Sequence, residues 1–353
     1  LPGIGALAGI SLLMPLTFTQ APGDALVMLA GIYYGTLYGG STAAILLNLP
    51  GSITSAVTTL DGYPMAQQGR AALALSMTTI ASFIGGCFAV VLMMAFAPPL
   101  VAIAQSFGSA EYFSMTLLGL LAASTLAAGS PVKGIAMVFV GLVLGMVGSD
   151  VQSGVVRFAF GLRDLRDGIS LVILAMGLFG VSEVIASIRN QGLKGAAAKS
   201  VKLRSMIPTR DDVRRSGFPI LRGTAMGAFL GVLPGTGTTI ASFMAYAMEK
   251  RVAKDPRRFG KGAIEGIMAP ESANNSADQT SFIPTLSLGI PGSPTMALML
   301  GALMIHGITP GPSLVTNQPE LFWGLVMSFW VGNIILLVLN IPLIGLWVRM
   351  LTI

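Results

Sequence analysis

Long apolar runs recur along the chain, parted by short polar turns and by two strongly basic stretches. Ala71 to Ala104 reads as one long helix and Leu321 to Val348 as another, each longer than the ~20 apolar residues needed to cross a bilayer. Further spans fall at Phe113 to Ala127, Val132 to Val147 and Ile169 to Ile188, the first two joined at Gly129-Ser130-Pro131. An apolar stretch from Ala6 to Phe18 precedes a membrane segment at residues 25–49. The middle of that segment is crowded with Gly31, Gly35, Gly39, Gly40 and three tyrosines, Tyr33, Tyr34 and Tyr38, which predicts an interrupted or closely packed helix. Asp61-Gly62-Tyr63-Pro64 reads as a turn. Gly148 to Gly168 reads as a mixed-charge amphipathic link at the membrane interface. Arg189 to Arg222 is the main basic loop. Gly223 to Met248 is an apolar segment broken at Leu233-Pro234-Gly235-Thr236-Gly237-Thr238, and a second break falls at Ile290-Pro291-Gly292-Ser293.

Against this background one block stands out. Ala269-Pro270-Glu271-Ser272-Ala273-Asn274-Asn275-Ser276-Ala277-Asp278-Gln279-Thr280 is the largest run of polar side chains between apolar segments, and it contains no Lys or Arg. Polar groups inside a membrane domain are costly and mark a pathway or a binding site by default.

Composition agrees with a polytopic membrane protein. Of 353 residues 53% are hydrophobic and only 10% charged, with mean hydropathy +0.77, against roughly 25% charged residues in a soluble domain. The net charge of +6 is not a nucleic-acid signal, because fifteen of the 21 Lys and Arg sit in the two basic stretches without interleaved aromatics. Those stretches read as cytoplasmic loops under the positive-inside rule. The lone Cys87 allows no disulfide within the chain. Both ends read as cut, so the chain is expected to be a fragment of a longer protein.

The two halves repeat. Leu1-Pro2-Gly3-Ile4-Gly5 matches Leu233-Pro234-Gly235-Thr236-Gly237, Leu49-Pro50-Gly51-Ser52-Ile53-Thr54 matches Ile290-Pro291-Gly292-Ser293-Pro294-Thr295, and Asp61-Gly62 lines up with His306-Gly307. Phe83-Ile84-Gly85 and Trp330-Val331-Gly332 extend the match more weakly. The loop after the first Pro-Gly break, Thr17 to Asp24, has no basic residue, whereas its counterpart, Lys250 to Lys261, has six. Equivalent loops on opposite faces are what an inverted-topology repeat predicts. Basic clusters also flank Gly223 to Glu249 on both sides, and that segment is too short for two full spans of about 20 residues each. A hairpin broken at Pro234-Gly235-Thr236-Gly237 resolves this, entering from the cytoplasm with its tip near mid-membrane. The expectation is an all-α polytopic membrane protein of two inverted repeats with re-entrant helical hairpins and broken helices. Residues 1–188 hold the first repeat with its connecting helices, 189–222 a basic cytoplasmic linker, and 223–353 the second repeat.

Broken helices expose backbone groups that a continuous helix would pair, and at membrane depth these must line a cavity or be buried in protein. Half-helix N-termini suit carboxylates, and unwound carbonyls suit Na⁺. Candidate substrate or cation ligands are therefore Ser41, Asn48, Pro50, Gly51, Ser52 and Thr54 in the first half. In the second they are Gly235, Thr236, Gly237, Thr238, Asn274, Asn275, Ser276, Pro291, Gly292, Ser293 and Thr295. Na⁺ is expected near Gly3, Gly5, Asn48, Gly235 and Asn274. Glu271 and Asp278 read either as proton or cation sites or as groups facing an aqueous vestibule. His306 reads as an interfacial residue, and Tyr33, Tyr34 and Tyr38 as packing or interface anchors.

This chemistry fits an anionic organic solute with a coupling cation, Na⁺ or H⁺, and no other cofactor. An ion or solute channel is the alternative, since broken helices also build selectivity filters. An enzyme is not expected. The sequence has no His-Glu-x-x-His, only one His, and no convincing pair of Asp residues on facing helices. Gly235-Thr236-Gly237-Thr238 lacks the Lys of a Walker loop.

At these same residues the chain resembles the large membrane subunit of the tripartite tricarboxylate transporters, the TctA family. The motifs that carry the resemblance are Gly31-Ile32-Tyr33-Tyr34-Gly35 with Tyr38-Gly39-Gly40-Ser41, Ala44-Ile45-Leu46-Leu47-Asn48-Leu49-Pro50-Gly51, Asp61-Gly62-Tyr63-Pro64-Met65-Ala66, Pro270-Glu271-Ser272-Ala273-Asn274-Asn275 and Leu288-Gly289-Ile290-Pro291-Gly292-Ser293. The resemblance covers essentially the whole chain. It implies a multi-pass, cation-driven importer of the bacterial inner membrane. Its partners would be a small membrane subunit similar to TctB and a periplasmic solute-binding protein similar to TctC, which delivers a carboxylate. It also implies the wider ion-transporter superfamily, with re-entrant hairpins and an elevator-like movement. Relative to the family pattern, the first membrane segment and the C-terminal portion are absent from this chain.

Overall fold

The computed structural model describes residues 5–125, 130–150, 155–170, 173–174, 176–182, 185, 206–233 and 237–346. Gly3, Gly235, Thr236 and the basic linker up to residue 205 lie outside the described residues. The first half contains α1 (Ala6–Leu13), α2 (Pro22–Leu47), α3 (Ala56–Met65), α4 (Ala71–Ala104), α5 (Ser109–Thr125) and α6 (Pro131–Gly145). The second contains α7 (Arg210–Val232), α8 (Gly237–Val252), α9 (Glu265–Thr280), α10 (Phe282–Leu288), α11 (Pro294–Ile305), α12 (Pro312–Asn317) and α13 (Pro319–Asn340). Among the described residues the one sheet is a two-stranded antiparallel ribbon, Gly148–Ser149 against Val156–Arg157, in the expected interfacial link. An ion pair of 2.9 Å between Arg157 and Asp150 fastens it. The span expected at Ile169 to Ile188 is described only in part.

Among the described residues two stretches are long and apolar enough to cross a bilayer: Ala56–Ala104, which joins α3 to α4, and α13. With 34 residues, α4 alone is about 50 Å long at ~1.5 Å per residue. It turns apolar side chains outward, among them Phe88, Val91 and Phe96, as α13 does with Met327, Val331 and Val338. Such continuous exposed apolar surface suits hydrocarbon rather than water. The most polar helix lies inside. Every residue of α9 from Gly266 to Thr280 is buried, wrapped by α7, α4, α8, α3 and α2.

Small residues make that wrapping possible. Gly223, Gly227 and Gly231 follow one stripe of α7. A Cβ on any of them would collide with the backbone of Ala269, Ala273 or Ala277 respectively on α9. The two helices run parallel with glycine against alanine at every fourth residue, as membrane helices in closest approach do. On the other side Gly85 of α4 meets the backbone of Ser272 just as closely.

Several expectations need correction. Residues 25–49 are not interrupted at their glycines. Helix α2 is continuous over 26 residues and ends where Asn48 adopts a left-handed conformation, φ 57°. The alternative of close packing holds at Gly40, where a Cβ would sit 3.1 Å from the Ser55 hydroxyl. Asp61-Gly62-Tyr63-Pro64 is not a turn but part of α3. The chain bends instead at Gly69, φ 82°. The basic loop gives way to helix at Arg210, twelve residues before its expected end. Thr209 and Asp212 form a reciprocal capping box there, satisfying first-turn amides.

Helices α7 and α8 pack on each other across the connection at 233–237. Arg222 and Glu249 join them by a two-pronged ion pair of 2.5 and 2.9 Å. Arg222 stands eleven residues before Leu233 and Glu249 twelve after Gly237, so the pair is a rung between the legs of a hairpin. The two helices are 23 and 16 residues long.

Candidate functional site

On α9, Glu271, Asn274, Asn275 and Asp278 are spaced by three and four residues and share one face. Ser272 and Ser276 point elsewhere, donating to the carbonyls of Ile220 (3.1 Å) and Thr224 (3.0 Å) on α7. The face holding the acids and amides meets α2, which runs the opposite way: Ser41 of α2 donates to Glu271 at 2.7 Å, while Tyr33, eight residues earlier, lies by Asp278.

The two acids have different surroundings. Glu271 accepts three hydroxyls, from Ser41, from Thr58 of α3 (2.5 Å) and from Ser82 of α4 (3.4 Å). Asp278, fully buried, has the Tyr33 phenol as a hydrogen-bonding neighbour but makes no close hydrogen bond at either carboxylate oxygen. The Tyr33 phenol beside it also reaches toward Ser281 and Ser293. Between the acids, both polar atoms of Asn274 and the Oδ1 of Asn275 lack partners. The Nδ2 of Asn275 is spent on the Glu271 carbonyl at 3.0 Å. Groups buried without a partner are rare in folded proteins and call for an explanation.

The Pro-Gly elbows lie at the two ends of this stripe. A Cβ on Gly237, the first residue of α8, would sit 3.8 Å from the Gly292 carbonyl. A Cβ on Gly292 would sit 3.5 Å from the Cβ of Ser281, just beyond α9. Ser293 caps α11 by accepting from the Met296 amide at 3.2 Å. The N-termini of α8 and α11 therefore converge beside the Asp278 end. In the first half, a Cβ on Gly5 would sit 3.6 Å from the Gly51 carbonyl. Ser52 accepts from the Ser55 amide at 3.3 Å and bonds Thr54 at 2.6 Å. The Ser52 and Ser55 hydroxyls lie by Gly40, one residue from Ser41 and so from Glu271.

The predicted residues thus fall into two groups joined by α9. Ser41, Gly51, Ser52 and Thr54 gather toward the Glu271 end; Gly237, Gly292 and Ser293 gather toward the Asp278 end. Among the described residues no hydrogen bond links one elbow to the other. Asn48 and Pro50 are exposed, Thr295 is half-buried and follows Pro294 into α11, and Thr238 is buried with its carbonyl accepting from Ser242. Of the positions expected near Na⁺, Gly5 spends its carbonyl on the Gly9 amide at 2.9 Å, and Asn274 is buried and unpaired. His306 bonds Thr17 at 2.9 Å near the start of α2, in keeping with a position away from the stripe.

The residue-level reading missed three features. Thr58 and Ser82, partners of Glu271, carry no local signal. Gln279 and Asn333 of α13 form a buried amide pair (3.2 and 3.5 Å). Asp61 reaches across to the loop before α9. There it accepts from the amides of Gly260, Gly262 and Ala263 at 2.8–2.9 Å and from the Tyr246 hydroxyl at 3.0 Å.

The family model described as "Tripartite tricarboxylate transporter TctA family" matches residues 1–353. The chain belongs to the TctA family. A similar relative is the "Uncharacterized 52.8 kDa protein in TAR-I ttuC' 3'region" of Agrobacterium vitis, 52% identical over all 353 residues and 70% of the relative. A second, the "Uncharacterized protein in TAR-II ttuC' 3'region" of the same organism, is 61% identical over 127 residues, 36% of this chain and 52% of the relative. No solved structure matches the chain. The family is one of membrane transporters, and the outward apolar faces of this TctA chain accord with that setting.

Proposed function

We propose that this chain is the permease subunit of a tripartite secondary transporter. It imports tricarboxylates or related carboxylates across the bacterial inner membrane, driven by Na⁺ or H⁺. A periplasmic solute-binding protein delivers the solute, and a small membrane subunit completes the complex. The observation that carries this reading is the meeting of two helix N-termini, those of α8 and α11, beside a buried polar stripe. Free amides and partial positive charge at helix starts favour anions, and the chain's family is one of tricarboxylate transporters.

Local geometry supports the inverted repeat. Asn48 and Gly289, equivalent by sequence, both end their helices in the left-handed region, φ 57° and 72°. Ser52 and Ser293 accept from the amide three residues on. Gly5 faces Gly51 as Gly237 faces Gly292. The hairpin α7–α8 has basic residues at both outer ends, so it enters from the cytoplasm and turns at mid-membrane. Movement is of the elevator type, with the α8 and α11 starts holding solute carboxylates.

The test is uptake of radiolabelled citrate into proteoliposomes bearing the full-length chain, the small subunit and the binding protein. Saturable uptake that needs a cation gradient is expected. Non-saturating flux with single-channel currents would overturn the carrier reading.

A further inference from the structure

The exposed side of α8 changes character along its length. Ile240, Phe243 and Met244 face outward and are apolar; further on, the same stripe holds Ala247, Lys250 and Arg251, spaced by three and four residues. A helix face that passes from apolar to basic suits a segment leaving hydrocarbon for the headgroup layer. The distances agree. Arg251 stands fourteen residues after Gly237, about 21 Å of helix at ~1.5 Å per residue. Half of a bilayer, headgroups included, is about 20–22 Å thick.

Beyond α8 the chain folds into a recess of about 380 Å³ lined by Asp255, Arg257, Arg258, Lys261, Gly262 and Ala263. Its floor is fixed from within. Gly260 and Gly262 take left-handed conformations, φ 80° and 93°, and the amides of Gly260, Gly262 and Ala263 are drawn to the Asp61 carboxylate. Gln68 adds a bond to the Lys261 carbonyl at 2.9 Å. With those amides spent on the inside, the recess offers side chains. Six basic residues lie between Lys250 and Lys261, against one acid, Asp255. Asp255 accepts from the Nε of Arg257 at 2.9 Å, an exposed pair that solvent screens. Arg258 gives one nitrogen to Glu265 at 3.3 Å, and Glu265 is also held by Arg215. Glu249 is taken by Arg222. Among the described residues the Nη groups of Arg257 and the ammonium of Lys261 have no partner.

A recess with such a surplus of positive donors is complemented by an anion. Its place at the foot of a lipid-facing stripe, beside the exposed Val252, selects the phosphate of a lipid over a soluble anion. We infer that the recess between the end of α8 and the start of α9 binds the headgroup of an anionic phospholipid of the cytoplasmic leaflet, with Arg257 and Lys261 gripping the phosphate. The inference goes beyond the transport reading and takes from it only that the hairpin α7–α8 opens to the cytoplasm. Through Asp61 and Gln68 the lipid-holding loop is tied to the first half of the chain.

A binding measurement that needs no transport substrate tests it. Thermal unfolding of the purified full-length chain in detergent is followed as phosphatidylglycerol is titrated in, with phosphatidylcholine as the neutral counterpart. A ligand of the folded state raises the melting temperature saturably. Such a rise is expected with phosphatidylglycerol alone, and added salt should weaken it. Each basic residue near an anionic lipid contributes about fivefold in binding, so the double variant Arg257→Gln, Lys261→Gln should need about 25-fold more lipid for the same rise. Both side chains are exposed, so this variant should melt like the native chain in phosphatidylcholine; should it not, Lys261→Gln alone carries the test. The control Arg163→Gln, Arg166→Gln, which removes the same charge from the link between residues 148 and 168, should respond as the native chain does. An equal response to the two lipids would overturn the site, as would an undiminished response of the first variant or an equal weakening in the control. A matching rise with inorganic phosphate alone, lost in the first variant, would also overturn it and assign the recess to a soluble anion. Should the phosphatidylglycerol response hold while citrate uptake fails, the transport reading falls and the lipid site stands.

Discussion

The two faces of α9 make opposite use of one helix. Toward α7 it presents Ala269, Ala273 and Ala277 to three glycines, with Ser272 and Ser276 bonded to backbone carbonyls. Toward α2 it presents two acids and two amides, several of their atoms unpaired. The first face gains stability from contact and from satisfied polar groups. The second gives stability up, since unpaired buried groups cost about 1–3 kcal/mol each. Residues held against their own stability are those a ligand would complete.

The comparison breaks most sharply at Gly227. Replacing it with Val drives a branched side chain into the Ala273 backbone, which cannot yield as a flexible side chain would. A loss of about 3 kcal/mol or more is expected, read as a missing monodisperse peak in detergent size-exclusion chromatography. Next comes Asp61→Ala, which strips three amides and a tyrosine of their shared acceptor. A cost of about 2–3 kcal/mol is expected, with Asp61→Asn milder, measured as the fall in melting temperature. The polar face should behave the other way. Asn274→Leu removes two unpaired polar atoms, so melting in Na⁺-free buffer should hold or rise, by up to about 1 kcal/mol, while citrate uptake falls at least tenfold. Uptake at the native rate would detach the amide from transport.

The smallest effect lies at the water-facing start of α7. Burial pushes the Asp212 carboxyl up, but the Thr209 hydroxyl and amide, with Arg70 and Arg215, outweigh it and hold the group below its ordinary value. A depressed carboxyl stabilises the fold above its unfolded pKa, ~3.9, and that contribution is lost as pH falls through the folded value. Melting temperature should therefore drop on acidification below about pH 4, and Asp212→Asn should flatten that part of the profile.

How much of this was legible depended on whether the signal was local. The bounds of α4 coincide with the apolar run Ala71 to Ala104. The elbow at Gly289-Ile290-Pro291-Gly292-Ser293 was readable because proline cannot donate and glycine tolerates the left-handed turn that Gly289 adopts. The helix ends at Leu233 and Gly237 fall at the Pro-Gly break read in Leu233 to Thr238. Helix α9 was visible as a polar block but not as a buried helix, because its periodicity is masked when every face is covered. Asp61 was misread because Asp-Gly is a turn signal, while its partners lie some 200 positions away. The glycines at 223, 227 and 231 and their alanine partners on α9 share a spacing of four, a pattern whose meaning depends on the parallel pairing of the two helices and so went unread. The Glu271 hydroxyls come from three separate helices and left no trace in sequence.

The glycine-alanine contact also has a mechanical side. With no clearance between α7 and α9, and Gly85 of α4 pressed as closely against Ser272, α9 cannot roll or slide by a fraction of a turn on its own. Whatever displaces it must carry all three helices together, so slippage is confined to boundaries where side chains, rather than backbones, touch.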